Sequence, residues 1–412
     1  MRSKSLVAVL GTVIAIPALA ATEPQAMDLG PVKFVPTLGL SQTYDDNIFS
    51  QPEGEVDAWI SRVKPQLQFI AQQDLNILAL TYMGDYGLFS SGSQDNYDDH
   101  TLSADGVLEA NDQNRFTLAA SLAKLHDPRG TGGSEGIIAN SRLEPDVYDA
   151  TGYALGYDFG REDAILGFAL SAGQNDVEYQ NNRQETQFRD RNDTDYGFKV
   201  SGRLAPKTKL FVELTRKDIG YDFAPQLRDA NGQIISVVPG IPLLGASLDS
   251  QEQNVLVGAE WEATGRTTGT IKFGRLNKDF DASAREDASF INWEASVLWM
   301  PRTYSSFTFM ANKAPQETNG TGSFIEMSSY SVDWTHDWSS YLHSSVNLGM
   351  GKDTFQNDPR EDDRESLSAS INYDVDTWMN IGLGYSYLRK DSNNSLFDFD
   401  RSQLMLSFDV SL

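Results

Sequence analysis

The sequence predicts an all-β protein, a single closed antiparallel transmembrane β-barrel of about 18 strands, with about 16 as the alternative. Segments of alternating apolar and polar residues recur along the chain, the connections between them alternate between short and long, and the chain ends on an alternating segment. Because successive side chains of a strand point to opposite faces, this period of two suits a wall with lipid on one side and water on the other.

The C-terminal segment shows the alternation most clearly. From Gln403 to Leu412 only Met405 interrupts it, and the apolar positions are Leu404, Leu406, Phe408, Val410 and Leu412. A half-buried strand of a soluble protein has the same pattern. Outer-membrane barrels, however, commonly end on such a strand, which closes the cylinder against the first strand. We expect the barrel-assembly machinery to bind this strand.

The N-terminus indicates export from the cytoplasm. Arg2 and Lys4 precede an apolar run from Leu6 to Ile16, and small residues follow up to Ala20. This order is typical of a secretory signal, and the run is too short to span a membrane comfortably. We therefore predict a signal peptide over residues 1–20, a short periplasmic segment over residues 21–32 and the barrel over residues 33–412.

Composition narrows the class of protein. The formal charge of −25 argues against nucleic acid as a partner, because phosphates require a basic surface. The chain has no cysteine, so disulfides contribute nothing. No apolar run beyond the signal reaches the length of a membrane helix, and no linker divides the chain. We expect a multi-pass barrel in the outer membrane of a Gram-negative bacterium, in contact with its lipid and lipopolysaccharide.

The connections support the same topology independently. Every second one is tight, as at Gln73-Asp74, Pro206-Lys207 and Asp376-Thr377. Those between them are longer and polar, over residues 45–55, 90–99, 127–144, 180–192, 221–249, 279–287, 315–323, 353–363 and 391–400. Membrane barrels have short periplasmic turns and longer outer loops, whereas a soluble sandwich has no reason to alternate so regularly. At about 16 to 18 strands the lumen is wide enough to hold water.

Charged residues of both signs lie on the strand faces opposite the apolar rows. They are Arg62, Lys64, Asp85, Asp105, Glu109, Lys199, Arg203, Glu213, Lys217, Glu260, Lys272, Glu294, Asp333 and His343. One interpretation is a polar conduit that binds a hydrophilic solute weakly. The other is a lumen that is merely solvated, with its charges paired to each other. Because the signs are mixed, the sequence indicates no preference for anions or cations.

The connection over residues 221–249 is unusually apolar for an outer loop. It contains Ile234, Ile235, Val237, Val238, Pro239, Ile241, Leu243 and Leu244. Such a segment is too apolar to remain in water, so we expect it to fold into the lumen or across its mouth as a constriction. The alternative is a hairpin that turns at Asn231-Gly232 and packs on neighbouring loops.

The sequence gives little support for catalysis or for metal binding. Acidic clusters such as Asp45-Asp46 and Asp98-Asp99 either bind cations that bridge lipopolysaccharide phosphates or only keep the loops solvated. None has the spacing of a calcium loop, so we predict no metal site and no cofactor. His126-Asp127 is a lone pair at the outer end of a strand, and no nucleophile, zinc or phosphate-loop motif is present. We do not expect an enzyme.

The stretch from Thr43 to Phe49, TYDDNIF, resembles the opening of the family called putative β-barrel porin 2. The family's association with exopolysaccharide and capsule machinery implies an outer-membrane conduit that exports such a polymer. It also implies a separate periplasmic export partner, because few residues precede the predicted barrel. A general or sugar-selective diffusion porin is the alternative, and a structural or receptor barrel is a third. The motif carries no catalytic residues.

Overall fold

The computed structural model describes residues 26–136, 139, 142–160, 164–227, 234–238 and 241–411. The described residues form a closed antiparallel barrel of 18 strands, which confirms the predicted fold class. Its strands are β2 (Val32–Asp45), β3 (Ala58–Gln73), β4 (Asn76–Phe89), β5 (Tyr97–Asn111), β6 (Asn114–Asp127), β7 (Asp146–Phe159), β8 (Leu166–Tyr179), β9 (Arg191–Ala205), β10 (Thr208–Tyr221), β13 (Ser250–Thr264), β14 (Thr267–Phe280), β15 (Ala288–Arg302), β16 (Ser305–Glu317), β17 (Phe324–Asp337), β18 (Leu342–Phe355), β19 (Glu361–Asp376), β20 (Met379–Ser392) and β21 (Phe399–Ser411).

The barrel closes between its first and last strands. β2 pairs with β3 on one side and with β21 on the other, in a register that runs from Thr37 opposite Ser411 to Asp45 opposite Gln403. The terminal alternating segment therefore completes the cylinder as predicted. In the described part of the chain, closure leaves no long strand edge unpaired, which a lipid environment requires because it offers no alternative hydrogen-bond partners.

Three short strands lie outside the barrel wall. β1 (Met27–Leu29) pairs with the start of β2, where Met27 faces Phe34. β11 (Ser236–Val238) and β12 (Ile241–Pro242) form a separate hairpin. The predicted signal peptide, residues 1–20, lies outside the described residues and stays a prediction.

Nine connections join the strands at the outer end, and we number them L1 to L9. They are L1 (46–57), L2 (90–96), L3 (128–145), L4 (180–190), L5 (222–249), L6 (281–287), L7 (318–323), L8 (356–360) and L9 (393–398). Short helical turns occur in them, at Ser93–Asp95, Gly132–Ser134, Arg183–Thr186, Gln187–Arg189 and Ser395–Phe397. Among the described residues, no helix has the length and apolarity needed to cross a membrane.

The apolar rows cover the outer surface of the barrel. Side chains such as Leu78, Leu155 and Ile291 are more than half exposed in the isolated chain. Because the opposite faces of the same strands carry charges, the apolar rows are the ones that contact lipid. Exposed aromatic residues stand near the tight turns, at Tyr304, Trp338, Tyr341 and Trp378. They match the aromatic belt found at membrane–water interfaces.

The strands are longer than the membrane requires. Those of the barrel have 13 to 16 residues, whereas about 9 to 11 tilted residues span the hydrocarbon. Their outer ends carry charged residues such as Asp193 and Lys278. The wall therefore rises above the lipid at its outer end, where it supports the long loops.

Candidate functional site: the lumen and the loop across its mouth

The structure places the predicted lumen charges on strand positions that alternate with the lipid-facing rows. In β3, for example, Arg62 and Lys64 flank Val63, which is exposed on the outer surface. The same parity holds for every predicted residue from Arg62 to His343, so all of them lie on the inner face of the closed barrel. Their role in solute passage stays a prediction.

Most of these charges are paired with each other. On one wall, Lys199 forms an ion pair with Glu260. Next to it, the Nζ atom of Lys272 lies 3.4 Å from Glu213 and 3.2 Å from Glu294. This ionic cluster extends from β9 to β15. Because each cation has carboxylates within contact distance, the cluster favours the interpretation of a solvated, mutually paired lumen over a free charge selector.

A second ionic cluster lies on β3 and β4. Asp85 accepts hydrogen bonds from Arg62, and the Nζ atom of Lys64 lies 3.5 Å from the same carboxylate. The hydroxyl of Tyr97 also donates to Asp85, over 3.2 Å. Here one carboxylate contacts two cations, whereas in the cluster from β9 to β15 one cation, Lys272, contacts two carboxylates.

The remaining predicted residues are dispersed over the inner wall. Arg115 lies 3.5 Å from Glu109, and Lys217 lies 3.1 Å from Asp193 at the outer end of β10. Asp333 accepts a hydrogen bond from Asn347. His343 contacts Asp337 at 2.8 Å and Asp374 at 3.0 Å. Asp105 lies on β5 and Arg203 on β9.

L3 enters the barrel mouth and is held on the near side by a buried ion pair. The guanidinium of Arg129 donates to both carboxylate oxygens of Asp95 in L2, each over 2.6 Å. It also donates to the carbonyl of Arg142 over 3.0 Å. At its other end, Arg142 lies 3.0 Å from Glu185 in L4. Bidentate arginine–carboxylate pairs fix geometry as well as charge, so both ends of L3 are tied to the adjacent loops.

The middle of L3 reaches the opposite wall of the barrel. Glu135 accepts a hydrogen bond from Arg360 over 2.7 Å and lies 3.5 Å from the Nζ atom of Lys390. The amide of Asn319 in L7 donates to the same carboxylate over 3.1 Å. L3 joins the fifth and sixth barrel strands, whereas Arg360 and Lys390 belong to the region of the sixteenth and seventeenth. L3 therefore crosses the mouth.

The charges around Glu135 stabilise its ionised form. Burial alone would raise the pKa of this carboxyl, but the nearby positive charges of Lys390 and Arg360 outweigh that cost. The pKa of Glu135 consequently lies below its ordinary value, and the pKa of Arg360 lies above its ordinary value, mainly because Glu135 and Asp362 offset its burial. Both groups are charged at neutral pH, so the contact across the mouth is an ion pair there.

L5, where we expected the constriction, forms its own small sheet. The backbone of Ile235 donates to Leu227 and that of Leu243 donates to Ile235. The side chains of Ile235, Ile241, Leu243 and Leu244 are between 39% and 58% exposed. The hairpin seen in L5 pairs Val238 with Ile241, whereas the predicted turn at Asn231-Gly232 and the predicted residue Pro239 lie outside the described residues. The loop that crosses the mouth is L3, and a role for L5 as a constriction stays a prediction.

The suggested catalytic pair does not form. The Nδ1 atom of His126 lies 2.8 Å from Asp99, whereas Asp127 pairs with Arg189 and accepts from the hydroxyl of Tyr179. Within the described ranges, no group of three or more acidic or histidine side chains is arranged to hold a metal ion.

Comparison with known proteins agrees with the fold. The sequence profile of the family described as "Putative beta-barrel porin 2" matches residues 20–412. The chain belongs to this family. It is a porin-like β-barrel of the outer membrane, and the resemblance seen at TYDDNIF is confirmed. Proteins of such a family are channels rather than enzymes.

A comparison with solved structures finds several outer-membrane proteins that are similar to this chain. OpdK from Pseudomonas aeruginosa is 15% identical, with a TM-score of 0.47, over 92% of this chain and 99% of that one. The same protein with vanillate is 14% identical, with a TM-score of 0.48 and the same shares. A BenF-like porin from Pseudomonas fluorescens Pf-5 is 12% identical, with a TM-score of 0.48 and the same shares. No curated protein matches the chain.

The residues that hold L3 were missed in the sequence. Arg129, Glu135, Arg360 and Lys390 lie in the long polar connections or at the outer end of a strand, where charges usually indicate solvation. The one available signal was glycine. Gly130, Gly132 and Gly136 all have positive φ and cluster in L3, which indicates a loop with a defined path rather than an open one.

Proposed function

We propose that this protein is a diffusion porin for small hydrophilic solutes, and that L3 sets the size of its passage. The observation that carries the proposal is the ion pair between Glu135 and Arg360, which joins L3 to the opposite side of an 18-stranded barrel. A loop fixed at both ends and in its middle divides the mouth into smaller openings. Small solutes pass such openings by diffusion.

Export of a polysaccharide, which the family resemblance implied, has less support. A polymer needs a continuous passage, and L3 interrupts it unless the contacts of Arg129, Glu135 and Arg142 all separate. The mutual pairing of the lumen charges also favours a passage of low specificity. The diffusion-porin alternative therefore fits the barrel better than the export conduit.

The experiment is reconstitution of the purified barrel into planar bilayers and liposomes. We expect steady open channels in the bilayer and liposome swelling with neutral sugars, at rates that fall as the sugar grows. A strain that lacks the protein should keep its surface polysaccharide. A barrel that stays closed in bilayers, or a mutant strain that loses its polysaccharide, would contradict the proposal.

A further inference from the structure

The TYDDNIF stretch carries the family resemblance, but no function is assigned to it. In the structure this stretch lies against L3. We propose that Asn47, Ile48 and Phe49, with Ala58 and Ile60 behind them, form a socket that positions L3 across the mouth. This inference extends the proposed function. Of its two measurements, conductance rests on the proposed function, whereas cleavage by trypsin does not.

An apolar contact is the first observation. Ile48, Phe49, Ala58 and Ile60 form a buried cluster with Ala139 of L3, and Ala139 is completely inaccessible to solvent. A cluster of buried apolar side chains shared between two loops stabilises their docking through the hydrophobic effect. Because L1 follows the barrel-closing strand β2, the cluster ties L3 to the rigid wall.

Close packing around Phe49 is the second observation. The guanidinium of Arg129 lies 4.0 Å from the centre of the Phe49 ring while it binds Asp95. The neighbouring Gly130 has a φ of +84°, and a Cβ atom there would lie only 1.9 Å from the carbonyl oxygen of Phe49. Only glycine satisfies both conditions, so the path of L3 is matched to the shape of L1 at this point.

The rest of the stretch holds L1 in that shape. The side-chain amide of Asn47 donates to the carbonyls of Gln51 and Asp400, each over 2.9 Å, and its oxygen accepts from the backbone of Gln51. Asp45 binds Arg401 of β21 across the closing seam of the barrel. The acidic residue thus fixes the seam, Asn47 shapes the loop, and Ile48 and Phe49 contact L3.

The test compares two phenylalanine substitutions in otherwise intact barrels. Phe49→Ala removes the socket contact, whereas Phe188→Ala removes a half-buried ring that contacts Phe223 between L4 and L5. We expect Phe49→Ala to raise single-channel conductance and to make L3 cleavable by trypsin at Arg129 and Arg142. Phe188→Ala should leave both unchanged. Heat-modifiable migration in gels verifies that each variant is a folded barrel.

A matched pair of glycine substitutions tests the close approach itself. Gly130→Ala and Gly54→Ala introduce the same methyl group at positive φ, but Gly54 has no atom within 4 Å of the added Cβ. We expect only Gly130→Ala to expose L3 to trypsin and to raise conductance. Equal effects of the two variants would show that backbone strain, not contact with Phe49, is responsible.

The outcomes separate this inference from the proposed function. If the wild-type barrel forms no channels, the diffusion-porin proposal fails, while trypsin cleavage still reports on the socket. If channels form but L3 stays protected and conductance stays constant in both Phe49→Ala and Gly130→Ala, the socket is overturned.

Discussion

L3 and L5 are both long outer loops, but the burial of each is the opposite of what its composition suggests. L3 is rich in glycine and charged residues, yet Arg129 is 8% exposed and Ala139 is fully buried. L5 is the more apolar loop, yet Ile241 is 58% exposed and Leu244 is 52% exposed. The comparison teaches that a polar, glycine-rich loop becomes buried across the mouth when the far wall offers complementary partners, as Arg360 and Lys390 do for Glu135.

The largest expected effect tests this comparison directly. Replacing residues 129–142 of L3 by a short glycine–serine linker should raise single-channel conductance several-fold, because the contacts across the mouth are lost. Deleting residues 233–245 of L5 should leave conductance nearly unchanged. Planar-bilayer recordings on the two variants provide the measurement. A large effect of the L5 deletion with none from L3 would reverse the comparison.

Removing one charge across the mouth should have the next largest effect. Glu135→Gln leaves Arg360 and Lys390 without a carboxylate from L3, while Arg360 keeps its contacts with Asp362 in its own part of the wall. We expect increased conductance and more frequent transitions between current levels. Glu144→Gln in the same loop is the control, because Glu144 contacts only the neutral amide of Asn181 among the described contacts. Indistinguishable recordings from the two variants would rule out Glu135 as the far-side contact.

Acid should weaken the same contact. Because the pKa of Glu135 is lowered in the folded protein, its contribution to stability is fully present above the ordinary glutamate value of about 4.3 and is lost as the pH falls through the lowered value. The single-channel conductance should therefore stay constant from neutral pH to about pH 5. It should rise only in stronger acid, where protonation of Glu135 releases L3. Glu135→Gln should lack this transition. A transition near neutral pH would indicate another group.

The smallest effect is expected in L5. Ile241→Ser replaces an exposed apolar side chain, so the free energy of unfolding should change by no more than about 0.5 kcal/mol. Conductance should match that of the wild type. Thermal unfolding in detergent measures the change in stability, and bilayer recordings measure the conductance. A marked loss of stability would mean that L5 packs against a surface that its exposure does not reveal.

The barrel itself could be predicted because its pattern is local. Leu404, Leu406 and Phe408 face lipid while their neighbours face water, and each strand repeats this choice without reference to distant residues. The same rule predicted on which face of its strand each of Arg62, Glu213 and Lys272 lies. Their partners did not follow, because strand register decides which charges meet.

The sequence by itself thus determined the closed barrel and its size of about 18 strands, with about 16 as the alternative, since the solvent imposes the alternation residue by residue. Only the tertiary structure decided which loop crosses the mouth. Glu135 and Arg360 are 225 residues apart in sequence, and Phe49 and Gly130, which lie close together, belong to different loops. Such contacts depend on the position of opposite walls in space, which no local pattern encodes.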